Sequence, residues 1–420
     1  MTRKKRKSGA FSSMNKRSRK LFLTNDCLTP LECIHDSAIL CENDRIIATG
    51  GASAFSLSEP GLEIIRVENA YAVPGFIDSH IHGIDKFDAS DPLRTEYDLA
   101  YMSRELTRHG ITTFFPTVIS RPREEMIRTV AALAAMMDKG CLDADAPGMH
   151  IEGPFINPEK RGSQDIDCIC NVDLGYARDI IAAGNGRIKL MTFAPELENA
   201  EELIGLMLEN GIIPSMGHSL AEEKQTLRAI DAGARRCTYI FNGMPLLHHR
   251  DSTLTTIALT DNRVAVEMIV DGAHIHPRMV DIVSRIKPKD KLIGISNAVT
   301  APRHGSGNSS SDLIKNLDGI ITGTTMTLDS SWLRLVSYSH MPHTEAAACF
   351  TSNPAADLGL ITRGEIKPGK RADITFFDSK TNQVRMTVSR GNIIYDADSS
   401  SSSFRDANEG SAAHTAAGAF

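Results

Sequence analysis

The residues that could carry out chemistry are two histidines and a glutamate at the ends of short apolar segments. His80 and His82, in "DSHIHG", are one residue apart, and the two-residue period of a β-strand points both side chains to the same face. Glu152, in "MHIEGP", is followed by Gly-Pro, which ends a strand and leaves the carboxylate at its rim. Imidazole and carboxylate groups together are ligands of hydrolytic Zn or Fe sites. The pattern predicts a divalent-metal site, although an isolated HxH pair is more often two ordinary strand and loop histidines.

Further polar side chains follow other apolar segments. His218 ends "SMGHS", and Asp271 and His274 lie in "VDGAH". These residues are of the types that bind metal or transfer protons, so we predict that they face the same site as the HxH pair. His276 is interpreted instead as a helix-capping or surface residue.

A polar loop follows the segment that ends at residue 242. In "FNGMPLLHHR", Asn242 and Gly243 could present side-chain and backbone polar groups to a ligand. Arg250 offers the planar guanidinium fork that suits a phosphate or carboxylate. We predict that this loop binds ligand, the alternative for Arg250 being an ordinary surface charge.

The elements that must position these residues are short apolar segments that alternate with helical stretches such as 122–140, 200–211 and 221–233. Eight segments qualify as strands: 73–80, 110–117, 148–154, 187–196, 212–219, 235–242, 265–274 and 291–298. Eight βα units predict an α/β fold, a closed (β/α)8 TIM barrel with its active site at the carboxyl ends of the strands. An open doubly wound sheet is the alternative, and the lack of a glycine-rich phosphate-binding fingerprint argues against it.

Both ends of the chain differ from this alternation. Residues 21–73 and 364–396 consist of short β-like runs and turns, and we predict that they form one split β-sandwich beside a barrel at 74–363. Residues 1–20, with nine Lys or Arg, and the Ser/Ala/Gly-rich residues 397–420 are predicted to be disordered. The basic tail is either a nucleic-acid or localisation patch or a solvated arm, and the true start is either Met1 or Met14.

The composition of the chain limits the classes of molecule that it is expected to bind. The formal net charge is −6, which gives no electrostatic case for nucleic-acid binding by the folded body. The eight cysteines form no CxxC pair, which favours a reducing cytoplasm. No apolar run approaches the ~20 residues that span a bilayer, and no secretion signal is present, so the prediction is a soluble protein with a small-molecule partner.

Several motifs resemble one family. "PGFIDSHIHG", "HIEGPFINPEKRG", "MGHS", "FNGMPLLHHR", "VDGAHIHP" and "ITGTTMTLD" are similar in sequence and order to N-acetylglucosamine-6-phosphate deacetylases of the amidohydrolase superfamily. The similarity runs from about residue 22 to 395. It implies a metal-dependent barrel, a small split β-sandwich and a homodimer that hydrolyses the N-acetyl group of an amino-sugar 6-phosphate to acetate and the free amine.

The resemblance also implies roles for individual residues. His80 and His82 match the pair that some members use for one metal site, and Glu152 and His218 match the carboxylate and the first histidine of the other. His274 matches the histidine that polarises the substrate carbonyl. The matches to substrate-binding positions, including the phosphate contact Arg250, are Gln164, Asn242, Gly243, Arg250, His274, Ile321, Thr322 and Gly323.

Two expected residues are replaced. Asn297, in "ISNA", stands where the family has the aspartate that acts as general base, and Tyr239 stands where it has a metal-binding histidine. An amide cannot accept a proton near neutral pH, and loss of a positioned base typically costs ~10²–10⁴ in rate, or about 3–5 kcal/mol. A phenol, with a pKa near ~10, binds divalent metals poorly unless ionised.

Three functions remain open from the sequence. The first is an amino-sugar-phosphate deacetylase with impaired hydrolysis, and the second is a non-catalytic sugar-phosphate-binding paralogue on the same scaffold. The third is another amidohydrolase reaction such as hydrolysis of a cyclic amide, against which the "FNGMPLLHHR" loop argues.

Overall fold

The computed structural model describes residues 18–29, 32–94, 96–140, 142–300, 313–315 and 319–399. The predictions of disorder for the basic tail up to residue 17 and for the chain beyond residue 399 lie outside these ranges.

The strands of the described residues are, in chain order, β1 (Arg19–Leu28), β2 (Cys33–Glu42), β3 (Arg45–Gly51), β4 (Leu62–Pro74), β5 (Phe76–Ile81), β6 (Gly83–Ile84), β7 (Phe87–Asp88), β8 (Ile111–Ile119), β9 (Met149–Glu152), β10 (Ile188–Phe193), β11 (Ile213–Met216), β12 (Arg236–Cys237), β13 (Ala265–Ile269), β14 (Leu292–Ile295), β15 (Leu313–Lys315), β16 (Ile321–Thr324), β17 (Ile374–Asp378), β18 (Val384–Ser389) and β19 (Asn392–Asp396). The α-helices are α1 (Leu99–Thr107), α2 (Arg123–Asp138), α3 (Leu174–Ala183), α4 (Ala200–Glu209), α5 (Glu223–Ala232), α6 (Leu254–Thr260), α7 (Pro277–Ile286), α8 (Leu328–Ser339), α9 (His343–Ala348) and α10 (Ser352–Asp357).

Eight parallel strands form the central sheet, in the order β14-β13-β12-β11-β10-β9-β8-β5. They correspond one to one with the eight predicted segments, and a helix from α1 to α8 follows each of them along the chain. Where the two outer strands end at the rim, the amide of Asn297 donates to the carbonyl of His80 at 3.0 Å and the amide of His82 donates to the carbonyl of Ala298 at 2.9 Å. These bonds join the first strand to the last, so the TIM barrel prediction is confirmed and the open-sheet alternative is wrong.

The barrel strands are apolar because both of their faces are covered. Every residue of β5, β9, β13 and β14 is buried, as expected for parallel strands enclosed by helices. The chain leaves each strand at the same rim, so side chains just past the strand ends gather there. This rim carries the predicted site.

Both chain ends contribute to a second sheet, of seven strands, in the order β19-β18-β17-β4-β1-β2-β3. Strand β4 links the two parts, because it pairs in parallel with β1 and antiparallel with β17. A partly buried ion-pair cluster attaches this region to the barrel, with Arg363 and Arg371 both bonded to Asp145. The predicted division into a β-sandwich and a barrel domain, with boundaries at residues 73 and 364, stays a prediction.

No helix within the described ranges has the length and apolar character needed to cross a membrane.

Candidate active site

A cavity of about 520 Å³ opens at the carboxyl ends of the barrel strands. This volume lies within the range of small-molecule sites. Most of the residues predicted from the sequence line it: His82, Glu152, Gln164, His218, Asn242, Gly243, His274, Asn297, Ile321 and Thr322. Tyr239, which the sequence predicts to stand in place of a metal ligand, lines it as well.

Glu152 is the centre of a cluster of imidazoles at the floor of the cavity. Its Oε2 lies 2.9 Å from His80 Nε2 and 3.3 Å from His82 Nε2, and its Oε1 lies 2.7 Å from His218 Nε2. Burial opposes ionisation of Glu152, but the hydrogen bonds from these histidines outweigh it and hold the pKa of the carboxyl well below its usual value. Glu152 is therefore an anion surrounded by three ring nitrogens.

The other ring nitrogen of His82 and of His218 contacts a backbone carbonyl. His82 Nδ1 lies 3.2 Å from the oxygen of Thr117, and His218 Nδ1 lies 2.6 Å from the oxygen of Lys160. A carbonyl can only accept, so Nδ1 carries a proton in both rings. This arrangement leaves Nε2 of each ring as the nitrogen that faces Glu152 and the cavity.

His80 is held by a carboxylate instead of a carbonyl. Its Nδ1 donates to Glu267 Oε2 at 3.0 Å, while its Nε2 lies 2.9 Å from Glu152 Oε2. Burial disfavours the charged ring, but the charge of Glu267 and the contacts with Glu152 outweigh it and raise the pKa of His80 to about 9. The buried ring is held between two carboxylates.

His80, His82 and Glu152 have the composition and spacing of a metal site. One ligand atom from each lies within 4.8 Å of the others, and all three residues are buried. Two imidazoles and one carboxylate are a normal donor set for a divalent first-row cation. These residues fit such an ion.

Tyr239 lies between two predicted ligands of the second metal site. Its hydroxyl donates to Glu152 Oε1 at 2.5 Å and also contacts His218 Nε2. Burial and the negative charge of Glu152 raise the pKa of Tyr239 well above the ordinary phenol value. The hydroxyl therefore stays neutral, and it lies between Glu152 and His218, the two residues predicted to bind a second cation.

Asn297 lies just beyond β14, at the rim. Its Oδ1 is 3.1 Å from His82 Nε2, and the residue is buried. The side chain thus borders the predicted metal ligands, as the sequence position implied. Its amide offers donors and acceptors, but no group that takes up a proton near neutral pH.

Backbone strain is concentrated at the same rim. His218, Tyr239 and Asn297 have φ values of 47°, 21° and 50°, and Phe241 has 74°. Bulky residues rarely adopt this left-handed region, and such strain collects at functional sites where neighbouring structure holds it. The strand ends are therefore shaped for the site at some cost in local conformational energy.

His274 is oriented by the aspartate three residues before it. Its Nδ1 donates to Asp271 Oδ2 at 2.5 Å, and its backbone amide donates to Asp271 Oδ1 at 2.8 Å. The ring is thereby held at the cavity wall with Nε2 as its free nitrogen. His276 is the N-cap of α7 and accepts from the amide of Arg278, so its interpretation as a helix cap is confirmed.

Gln164 and Gly243 support the predicted ligands. Gln164 accepts from the amide of Ser120 at 2.9 Å and donates to Glu152 Oε1 at 2.8 Å. Gly243 has a φ of 58°, and a Cβ there would lie 2.9 Å from His218 Nδ1. A side chain at Gly243 would displace the ring, so the glycine is required for His218 to keep its position.

The polar loop that follows Gly243 does not bring Arg250 to the cavity. Arg250 is exposed and is absent from the cavity lining, whereas Arg161, in the "EKRG" stretch, lines it. Of the "ITG" segment, Ile321 and Thr322 line the cavity and Gly323 does not. The predicted roles of these residues in substrate binding remain predictions.

Sequence reasoning missed three buried residues beneath the site, Glu267, Arg236 and His150. His150 lies two residues before Glu152, so strand periodicity places it on the same face, and its ring centroid is 4.6 Å from that of His80. Glu267 in "AVEMIV" and Arg236 in "RRC" are charged residues within apolar strand segments, and that contrast is the signal that could have identified them.

The fold and the site define a class of protein. Residues 71–394 match the family model described as the amidohydrolase family, and the chain belongs to that family. Within it, the chain belongs with the N-acetylglucosamine-6-phosphate deacetylases. The Danio rerio protein of that name is 31% identical over 355 residues, which cover 79% of this chain and 86% of that protein.

Two further relatives extend the comparison. An N-acetylgalactosamine-6-phosphate deacetylase from Escherichia coli is 27% identical over 346 residues, covering 80% of this chain and 89% of the relative. A mutant of the Mycobacterium smegmatis N-acetyl-D-glucosamine-6-phosphate deacetylase, solved in complex with N-acetyl-D-glucosamine-6-phosphate, superposes with a TM-score of 0.81 at 27% identity. It covers 90% of this chain and 99% of that chain.

Proposed function

We propose that this protein binds an N-acetylated amino-sugar 6-phosphate in the rim cavity and hydrolyses its N-acetyl group weakly, releasing acetate and the free amine. Support for the substrate class comes from the deacetylase relatives, which act on the glucosamine and the galactosamine derivatives. The observation that carries the proposal of weak hydrolysis is the Tyr239 hydroxyl, which bonds to both Glu152 and His218. It fills a ligand position with a neutral group.

One divalent cation, Zn or Fe, would be held by His80, His82 and Glu152. When bound, such an ion supplies a Lewis acid that polarises the amide carbonyl and acidifies water. The second ligand set, Glu152 with His218, is instead engaged by the phenol. We therefore expect one metal site per chain with partial occupancy.

The remaining steps of hydrolysis are stabilisation of the carbonyl oxygen and two proton transfers. His274, held by Asp271, would donate from Nε2 to the carbonyl oxygen of the N-acetyl group as negative charge develops there. Water must lose a proton as it attacks, and the leaving nitrogen must gain one. Asn297 lies where a base would perform both transfers, and its amide can perform neither.

A second candidate is a sugar-phosphate-binding protein without turnover. The same two residues favour it, because Tyr239 and Asn297 weaken hydrolysis without removing the cavity or the wall formed by His274 and Gln164. The M. smegmatis mutant holds its sugar phosphate intact, which is the behaviour that this candidate requires. The two candidates differ only in turnover.

We further propose that the protein is a homodimer in the cytoplasm. The exposed leucines of the "MPLLHHR" loop, Leu246 and Leu247, are available for a contact between copies. All seven described cysteines are free, which fits a reducing compartment. Sedimentation of the purified protein tests the dimer, and imaging of the tagged chain tests the location.

The function is tested by three measurements on the purified full chain: bound metal per chain, calorimetric binding of N-acetylglucosamine 6-phosphate and N-acetylgalactosamine 6-phosphate, and release of acetate. We expect binding of at least one of these sugars with slow or absent acetate release. Failure to bind either sugar would contradict the proposal. Acetate release at or above the ~10⁴ M⁻¹s⁻¹ usual for enzymes would contradict impaired hydrolysis.

A further inference from the structure

A buried chain of charges lies directly beneath the histidine pair. Glu267 Oε2 accepts from His80 Nδ1 at 3.0 Å, and its other oxygen, Oε1, accepts from Arg236 Nε at 2.9 Å and lies 2.7 Å from Arg236 Nη2. Arg236 in turn contacts Asp357 of α10 and the hydroxyl of Ser79. The side chains of His80, Glu267 and Arg236 are all 0% exposed.

This arrangement distinguishes His80 from the other two rings at the site. His82 and His218 are anchored by neutral carbonyls, whereas His80 is anchored by a full negative charge. A carboxylate that accepts from one ring nitrogen fixes the tautomer and makes the other nitrogen a better electron donor. His80 Nε2 is the nitrogen that faces Glu152.

The cost of burying Glu267 indicates that it has a role. An isolated buried carboxylate is strongly disfavoured, and packing alone would be satisfied by an apolar residue in the interior of a strand. Here Arg236 compensates the charge, and burial of Arg236 in turn requires Asp357. Glu267, Arg236 and Asp357 together thus place one acceptor against His80 Nδ1.

We propose that Glu267 is a positioning residue that orients His80 and strengthens it as a metal ligand, with Arg236 holding Glu267 in place. This inference rests on the metal site of the proposed function, and it assigns a role to side chains that do not reach the cavity. Glu267 touches neither substrate nor metal and acts only through His80.

The test measures Zn²⁺ affinity of metal-stripped full-length protein by competition with a chromophoric chelator. Glu267→Gln keeps the shape but removes the negative charge, and we expect Zn²⁺ affinity to fall by about 10- to 100-fold. Asp145→Asn is the matched control, because it removes a carboxylate bonded to two arginines, Arg363 and Arg371, without touching a histidine. Its Zn²⁺ affinity should stay within about twofold, although both variants lose thermal stability.

A second variant separates the lost acceptor from the stranded arginine. In Arg236→Met/Glu267→Gln no unpaired charge remains beside His80, although Asp357, whose side chain is 14% exposed, loses its arginine partner. We expect this double variant to bind Zn²⁺ as weakly as Glu267→Gln. Recovery of affinity would mean that repulsion from the unpaired Arg236 caused the loss, and it would overturn the proposal.

Two other results would also overturn it: unchanged affinity in Glu267→Gln, or no Zn²⁺ uptake by the unmodified chain. Calorimetric binding of N-acetylglucosamine 6-phosphate to the same metal-stripped samples tests the proposed function separately from the role of Glu267. Loss of sugar binding in the unmodified chain contradicts the proposed function, while the Zn²⁺ affinities still decide the role of Glu267.

Discussion

The most informative perturbation of the site changes Tyr239 and Asn297, the two positions predicted to be replaced, to the residues expected there. Tyr239→His replaces the hydroxyl that bonds Glu152 and His218 with an imidazole, and Asn297→Asp places a carboxylate where the amide now lies 3.1 Å from His82 Nε2. Both changes are small, and both positions already line the cavity. The comparison therefore needs only the unmodified chain, the two single variants and the double variant.

The expected gain in kcat/KM depends on whether the base at position 297 and the metal ligand at position 239 need each other. In Asn297→Asp the base is restored, but Glu152 Oε1 and His218 Nε2 remain bonded to the phenol, so we expect at most about a tenfold gain in kcat/KM, or ~1.4 kcal/mol. Tyr239→His restores a ligand without a base, and we expect a similarly small gain. The double variant should gain about 10³-fold, or ~4 kcal/mol, because a base and a metal site act as one unit.

The assay is acetate release from N-acetylglucosamine 6-phosphate, measured with metal added in excess. Tyr239→Phe is the control for the single change, because it removes the hydroxyl without supplying a ligand, and it should give no gain. Additive gains, with the double variant equal to the product of the singles, would refute the dependence of base on metal. If the unmodified chain already reaches ~10⁴ M⁻¹s⁻¹ and neither change improves it, another residue is the base and the reasoning is wrong.

The remaining predictions concern metal, phosphate and pH. Chelation should lower the Tm of protein saturated with added metal, since metal at about 100 times its Kd stabilises a protein by about 2.7 kcal/mol. An unchanged melting curve would contradict a bound ion. Arg161→Ala, at the cavity wall, should weaken binding of the sugar 6-phosphate more than binding of the unphosphorylated sugar, because it removes a cationic fork beside the bound sugar. Arg250→Ala tests the sequence prediction for that exposed residue, and equal losses for both sugars would make Arg250 merely structural. Burial opposes ionisation of Asp145, but Arg363 and Arg371 outweigh it and lower its pKa. The ionised Asp145 therefore stabilises the fold above the unfolded pKa of ~3.9, and this stabilisation is lost as pH falls towards the lower pKa of the folded state. Between pH 6 and pH 3 the Tm of Asp145→Asn should therefore fall less than the Tm of the unmodified chain.

Much of the fold could be predicted from local patterns. The alternation of apolar strand segments with helical stretches identified eight strands, and their number and order correspond to the barrel. The two-residue period placed His80 and His82 on one face, and the turn after Glu152 placed that carboxylate at the rim. These inferences hold because a parallel barrel brings the carboxyl ends of all its strands to the same rim, whatever the details of packing.

The sequence by itself determined which residues reach the rim, but only the tertiary structure decided which of them touch. Glu267 and His80 are 187 residues apart, and Tyr239 and Glu152 are 87 apart, so no local pattern pairs them. The structure places Arg161 at the cavity wall and leaves Arg250 exposed, although both lie in loops beyond barrel strands. Strand periodicity specifies the face of a side chain, whereas its partner depends on the closure of the barrel and the path of each loop.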